Sequence, residues 1–272
     1  INPDDILSEW TGLRDRQSIE GANLREQFLW LATNGVSITP DLWNAQIADM
    51  NQLVERNPAD ADLLSQRAYA NFCADKIPAA LSDLHASYDL SADLNTLYQY
   101  CHLAAFFAAD AEYAAAIELF TQKATTATDK MRLLTAASLV PNALDDYAPL
   151  LEIADQLSTP TFIRNIYVRR AVGAIHLRAG NHAKAIEIFR GAQSAESRFV
   201  VPLIGVLMYR GIAEHQQGNS STAFTLAQVA SQLSVQLPRL EDKKPGPLWH
   251  EYLAHRALLK ELIRLLGSPN TD

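Results

Sequence analysis

Four alanines, Ala80, Ala116, Ala185 and Ala223, are spaced by 36, 69 and 38 residues, and each sits in the same local pattern. A turn former precedes each of them (Asp75, Asp110, Gly180, Gly218). A large residue follows four positions later in three cases (Leu84, Phe120, Phe189). Twelve positions before each alanine stands another small residue: Ala68, Ala104, Gly173 and Gly211. The middle spacing is close to two periods, so a degenerate unit is expected between residues 128 and 158. A period in this range means a stack of identical supersecondary units, none of which can bury its apolar face alone.

The unit is a helix hairpin. Small residues on both helices let two antiparallel helices approach closely, and the large residue fills the remaining groove. Gly180 and Gly218 permit the left-handed backbone that ends a helix, and Asn181 and Asn219 suit the same turn. Composition agrees: 11 Gly and 12 Pro in 272 residues are few, and Ala, Leu, Glu and Gln are plentiful, so helix formers dominate. Thr39, Pro40 and Asp41 read as N-cap, first-turn proline and dipole-favoured acid, which starts a helix there.

The grid of small residue, Gly, Ala, aromatic and Ala resembles the tetratricopeptide repeat. Residues 61–93, 97–127, 166–196 and 204–236 match it, 128–158 is a degenerate unit, and 21–58 fits loosely through Trp30, Met50 and Pro58. The resemblance implies an all-α, right-handed superhelical solenoid of antiparallel helix pairs, spanning 1–272 as a single array. Residues 1–20, with Ile6, Leu7, Trp10 and Leu13 near helical spacing, would add an N-terminal segment, and 247–267 a capping helix. Two stretches are similar to the C-terminal tetratricopeptide region of planctomycete-type bacterial Ser/Thr protein kinases. They are Pro141, Ala143, Asp145 and Asp146, which break the array, and Trp249, Leu259, Glu261, Leu265 and Leu266 in the closing helix. That likeness implies a place beside a kinase domain. The chain itself has no Gly-rich loop, His-Arg-Asp or Asp-Phe-Gly.

Charge is unevenly distributed. Residues 1–160 hold 9 Lys/Arg against 23 Asp/Glu, and residues 161–272 hold 14 against 8. The asymmetry suits a polar partner surface or head-to-tail association, and equally suits solvated helix faces. It disfavours nucleic acid, since the acidic part would repel phosphate and no stacking aromatics interleave with the basic residues. No apolar run approaches the roughly 20 residues that span a bilayer, so no membrane is expected and a cytoplasmic location is the reading. Cys73 and Cys101 show no disulfide or zinc spacing.

The chemical motifs fail on geometry. His250, Glu251 and His255 nearly spell HExxH, but histidines five apart differ by about 140° around a helix and cannot share a metal. His176 and His182 straddle the Gly180 turn without a third ligand. The run from Gly218 to Thr222 lacks the second glycine and lysine of a phosphate loop. No metal and no cofactor is expected, and no catalytic residue.

The inner face of the solenoid remains, where first helices expose side chains not used in packing. By register it presents Ser65, Tyr69, Phe72 and Cys73; Tyr98, Cys101 and Ala105; Tyr167, Arg170, Ala174 and Arg178; and Met208, His215 and Gln216. Tyr69, Phe72, Tyr98, Tyr167, Arg170, Arg178, His215 and Gln216 are the groove candidates. Arg170 and Arg178 are eight apart on one face of the helix. Their guanidinium forks suit a carboxylate or an acidic peptide; the alternative is that they are solvated or bridge to the acidic N-terminal part. In the closing helix, Arg256, Lys260 and Arg264 form a charged stripe opposite Leu258, Leu259, Leu262 and Leu266, which suits shielding of the solenoid's end. The function expected is a non-catalytic protein-interaction scaffold, an adaptor or regulatory region of a bacterial signalling protein, with a protein or acidic peptide and an attached kinase domain as partners. A small-ligand sensor and a self-assembly module are the other two classes, and oligomeric state is left open.

Overall fold

The computed structural model describes residues 40–107, 110–193, 200–234 and 249–267. Among them are twelve α-helices and no strand. They are α1 (Pro40–Arg56), α2 (Ala61–Cys73), α3 (Ile77–Ser91), α4 (Leu94–Phe106), α5 (Asp110–Lys123) and α6 (Ala127–Ala137). Then follow α7 (Ala148–Leu157), α8 (Ile166–Arg178), α9 (His182–Gln193), α10 (Val200–Gln216), α11 (Ser220–Ser234) and α12 (Trp249–Gly267). Trp30 and the apolar set of Ile6, Leu7, Trp10 and Leu13 lie outside the described residues.

Short polar side chains start the helices by satisfying orphan N–H groups. Asp60 accepts from Leu63 N at 3.1 Å, Asp93 from Asn95 N and Thr96 N at 3.1 and 3.2 Å, and Asn165 from Tyr167 N at 2.9 Å. Thr126 and Asp129 form a reciprocal capping box on α6. Asp146, in the Pro-Asn-Ala-Leu-Asp-Asp break, accepts from Ala148 N at 2.8 Å and so opens α7.

The described helices fall into two compact units, α1–α3 and α4–α12. In the first, the α2/α3 hairpin packs with α1 on its other side. Trp43, Ile47, Ala70 and Cys73 form its apolar cluster. Its polar seam is Arg67, which donates to Asp83 at 2.6 and 2.9 Å and to Asn51 at 3.0 Å, so one guanidinium ties all three helices.

The second unit has the contact order of a solenoid. Hairpins α4/α5, α6/α7, α8/α9 and α10/α11 follow one another; each second helix meets the next first helix, and the first helices α4, α6, α8 and α10 meet in series. Ala104, Ala116 and Phe120, with Ala185, Phe189 and Ala223, are all buried. Gly180 and Gly218 have φ of +79° and +83°, and Asp75, at the same grid position, has φ of +58°. Asp110 departs from the grid: it is the first residue of α5 rather than part of the turn.

The pairing is sharper than small against small. A Cβ built on Gly173 would lie 2.8 Å from Phe189 Cζ, so the ring of Phe189 sits directly on the α8 backbone. Alanine normally gains about 1 kcal/mol over glycine within a helix. Here the steric cost reverses the sign. Gly173→Ala is expected to destabilise by about 1 to 3 kcal/mol, read as a lower urea midpoint. In the Phe189→Leu background the same change should cost much less, and an equal cost in both backgrounds would refute the contact.

Candidate functional site

Helices α8 and α10 present one face to α12, and α8 supplies the groove arginines. Arg170 lies in the first half of α8 and Arg178 at its last residue. Arg170 donates through Nη1 to Glu251 Oε2 at 2.6 Å and through Nη2 to Glu251 Oε1 at 2.9 Å. Arg178 repeats the fork on Glu261, at 2.6 and 2.7 Å. The side chains are 4% and 7% exposed in the first pair and 3% and 8% in the second, so both pairs are out of water. Each is bidentate, the strongest geometry for this chemistry.

Neighbours complete each node. The Arg170 guanidinium lies over the Tyr167 ring at 5.7 Å, and that of Arg178 over the Tyr209 ring at 5.8 Å. Arg178 Nε also donates to the Ser138 carbonyl at 2.7 Å, just past the end of α6. Ser138 Oγ and the Tyr209 hydroxyl share a hydrogen bond at 2.7 Å. Burial opposes the charge on both arginines, yet Glu251 and Glu261 outweigh it and hold both above the ordinary guanidinium value. Burial, with Glu251 nearby, pushes the Tyr98 phenol far up, so it stays neutral.

Two glycines on α10 shape the seat of α12. A Cβ on Gly205 would meet Arg170 Cδ at 2.9 Å and His255 Nε2 at 3.7 Å; one on Gly211 would meet Leu262 Cδ2 at 3.2 Å. Residues 251 to 262 of α12 therefore run alongside residues 170 to 178 of α8 and 205 to 211 of α10, in the same direction. Leu258 and Leu262 join the core cluster that contains Ala174, Met208 and Tyr209.

Along α8 and α10 the inner face is thus covered by α12, which changes several readings. Cys101, Ala174 and Met208, placed by register on the inner face, are fully buried. Arg170 and Arg178 are neither solvated nor bridged to the acidic N-terminal part; the carboxylates they hold come from the last helix. That helix keeps Arg256, Lys260 and Arg264 exposed as expected, but it lays its apolar face on the first helices α8 and α10. The closing helix expected at 247–267 is helical from Trp249 to Gly267, and residues 247–248 lie outside the described residues.

Of the other candidates, Tyr98 and Tyr167 stand near the Arg170 node. Tyr69 and Phe72 belong to the first unit and pack on its apolar cluster, Tyr69 edge-on to Trp43 at 6.0 Å. His215 is half-buried near the end of α10, 3.3 Å from Ser220 Oγ, and Gln216 beside it is exposed. The place of Glu251, Glu261, His255 and Tyr209 on this face is not among the sequence expectations. A signal for two of them exists: Glu251 and His255 occupy the stripe that Leu258 and Leu262 continue at helical spacing.

Among the described residues no group of three or more His, Cys, Asp or Glu could hold a metal ion, and no helix is long and apolar enough to cross a membrane. The Cys101 thiol is raised by burial and is not a ready nucleophile.

No protein-family model and no curated protein sequence matches the chain. Among solved structures, yeast Tom70 is similar, at 14% identity and a TM-score of 0.45 over 87% of this chain and 47% of that one. The alignment spans about half of Tom70. The stacked hairpins define the described residues of the second unit as an all-α helical-repeat array.

Two expectations follow from the site. Removing one member of a buried pair strands the other charge, so Arg170→Met should cost about 3 to 5 kcal/mol, whereas Arg170→Met/Glu251→Leu should recover most of it. A double-mutant cycle by denaturant titration reads this directly; equal losses in the single and double variants would contradict it. Burial, opposed by Glu251 and reinforced by Arg170, lowers His255 to about 4. The unfolded chain titrates near 6.5, so as pH falls the unfolded state takes the proton first. Stability is full above that value and declines between about pH 6.5 and 4, by about 3 kcal/mol in all. His255→Gln should flatten the melting temperature over that interval relative to wild type.

Proposed function

We propose that this chain is a non-catalytic protein-interaction scaffold, whose inner face of first helices receives a carboxylate-bearing protein segment. The observation that carries the reading is the pair of bidentate Arg–Glu forks, Arg170 with Glu251 and Arg178 with Glu261, on a face built by repeated hairpins. A face that already accepts two carboxylates from a helix has the chemistry to accept them from another protein. Repeat arrays characteristically use such faces for binding.

The resemblance of the Pro141–Asp146 break and the closing helix to regions of bacterial Ser/Thr kinases supports an adaptor or regulatory role beside a kinase domain, in the cytoplasm. Tyr98 and Tyr167 flank the Arg170 node; His215 and Gln216 lie at the far end of α10 and would extend the contact. In the first unit, Tyr69 and Phe72 offer a separate aromatic surface.

The test is a panel of 20-residue peptides rich in Asp and Glu, titrated against the full chain by fluorescence anisotropy. Their Asn/Gln counterparts serve as controls. Saturable binding that the amide versions lose is the expected outcome. Melting-temperature shifts with metabolites in the absence of any peptide binding would instead establish a small-ligand sensor and overturn the scaffold reading.

A further inference from the structure

Helix α12 fits its seat at three matched points. Glu251 and Glu261 meet Arg170 and Arg178, and Leu262 meets the gap left by Gly211; at Gly205 the nearest side chain is Arg170 itself, with His255 beyond it. The arginines are eight residues apart, about 12 Å along α8, and the glutamates ten apart, about 15 Å along α12. Flexible side chains close that difference.

We propose that the trough between α8 and α10 is a binding site for an amphipathic helix of a partner protein, and that α12 is the resident competitor which that helix displaces. The partner helix carries two carboxylates ten residues apart, with leucines seven and eleven residues after the first, and lies parallel to α8 and α10. The inference rests on the scaffold reading and adds the ligand's conformation, its pattern and its competitor.

Three features support displacement. The seat depends on buried ion pairs, whose desolvation cost offsets much of their attraction, so they select an occupant more than they tighten it. An incoming helix with the same two carboxylates replaces both pairs without leaving either arginine unpaired. The outward face of α12 bears exposed Arg256, Lys260 and Arg264, which draw a carboxylate-rich segment toward this site.

The probe is a fluorescein-labelled synthetic peptide of residues 247–267, used with the full-length chain and with its Glu251→Gln/Glu261→Gln variant. A tethered competitor acts at an effective concentration in the millimolar range when its linker is short. The variant, whose α12 has lost its charges, should therefore bind the peptide at least tenfold tighter than wild type. A peptide with glutamine at both glutamate positions should bind at least tenfold more weakly to either protein. Hydrogen exchange on the wild-type chain with excess unlabelled peptide provides a readout that needs no variant: α12 amides should exchange faster while α8 and α10 remain protected. Equal affinity of the two proteins, or α12 still protected at peptide saturation, overturns the proposal, as does a dimer in which two copies trade α12. If panel peptides bind while α12 stays protected, the scaffold reading stands and this inference falls. If the 247–267 peptide displaces α12 but no panel peptide binds, the site is specific for the helical pattern and acidity alone is not what it recognises.

Discussion

A single helix hairpin presents more apolar surface than its two helices can cover for each other. Everything in the second unit follows from that shortage. The first helices α4, α6, α8 and α10 must meet in series, and each second helix must also touch the next hairpin. Close approach at Gly173, with Phe189 on the helix backbone, sets the spacing within the α8/α9 hairpin. The inner face is then left lined with Ala174, Met208 and Tyr209, which are apolar or aromatic and need a cover. Helix α12 is that cover, through Leu258 and Leu262.

Coverage alone could have been supplied by an all-leucine face. The sequence places Arg170, Arg178, Glu251 and Glu261 there instead, at the cost of taking four charges out of water. An apolar replacement of similar volume is often at least as stable. What the charges add is register. Moving α12 by one helical turn, about 5.4 Å, would carry both carboxylates away from their guanidinium forks and leave four buried charges unmatched. The glycines act in the same direction, since Leu262 fits at Gly211 and a displaced helix would set other side chains against that gap.

The array was legible because its cause is local. Ala80, Ala116, Ala185 and Ala223 recur at 36, 69 and 38 residues, close to one, two and one periods, and a period does not depend on tertiary context. The turns at Gly180 and Gly218 were readable for the same reason: a positive φ after a helix calls for glycine. Asp110 misled because it lies six rather than five residues before its alanine, and the helix had already begun there. The arginines were readable as carboxylate binders because Arg170 and Arg178 share one helical face. Their partners were not, for a physical reason. Glu251 and Glu261 lie more than 80 residues away in sequence, and nothing in a helical period tells which distant helix will lie on which face. The exposed stripe of Arg256, Lys260 and Arg264 drew attention to the outward side of α12. The decisive residues were on the other side, among the leucines.

The direction of α12 narrows what this face can recognise. An extended segment of ten residues spans about 33 Å, more than twice the length of ten helical residues. Carboxylates spaced to meet Arg170 and Arg178 would therefore be only about four residues apart in an extended chain. At the far end of the seat the charge and the gap lie on different helices, Arg178 on α8 and Gly211 on α10. A helix meets both with neighbouring residues: Glu261 and Leu262 are adjacent in sequence and point about 100° apart, one to Arg178 and the other to Gly211.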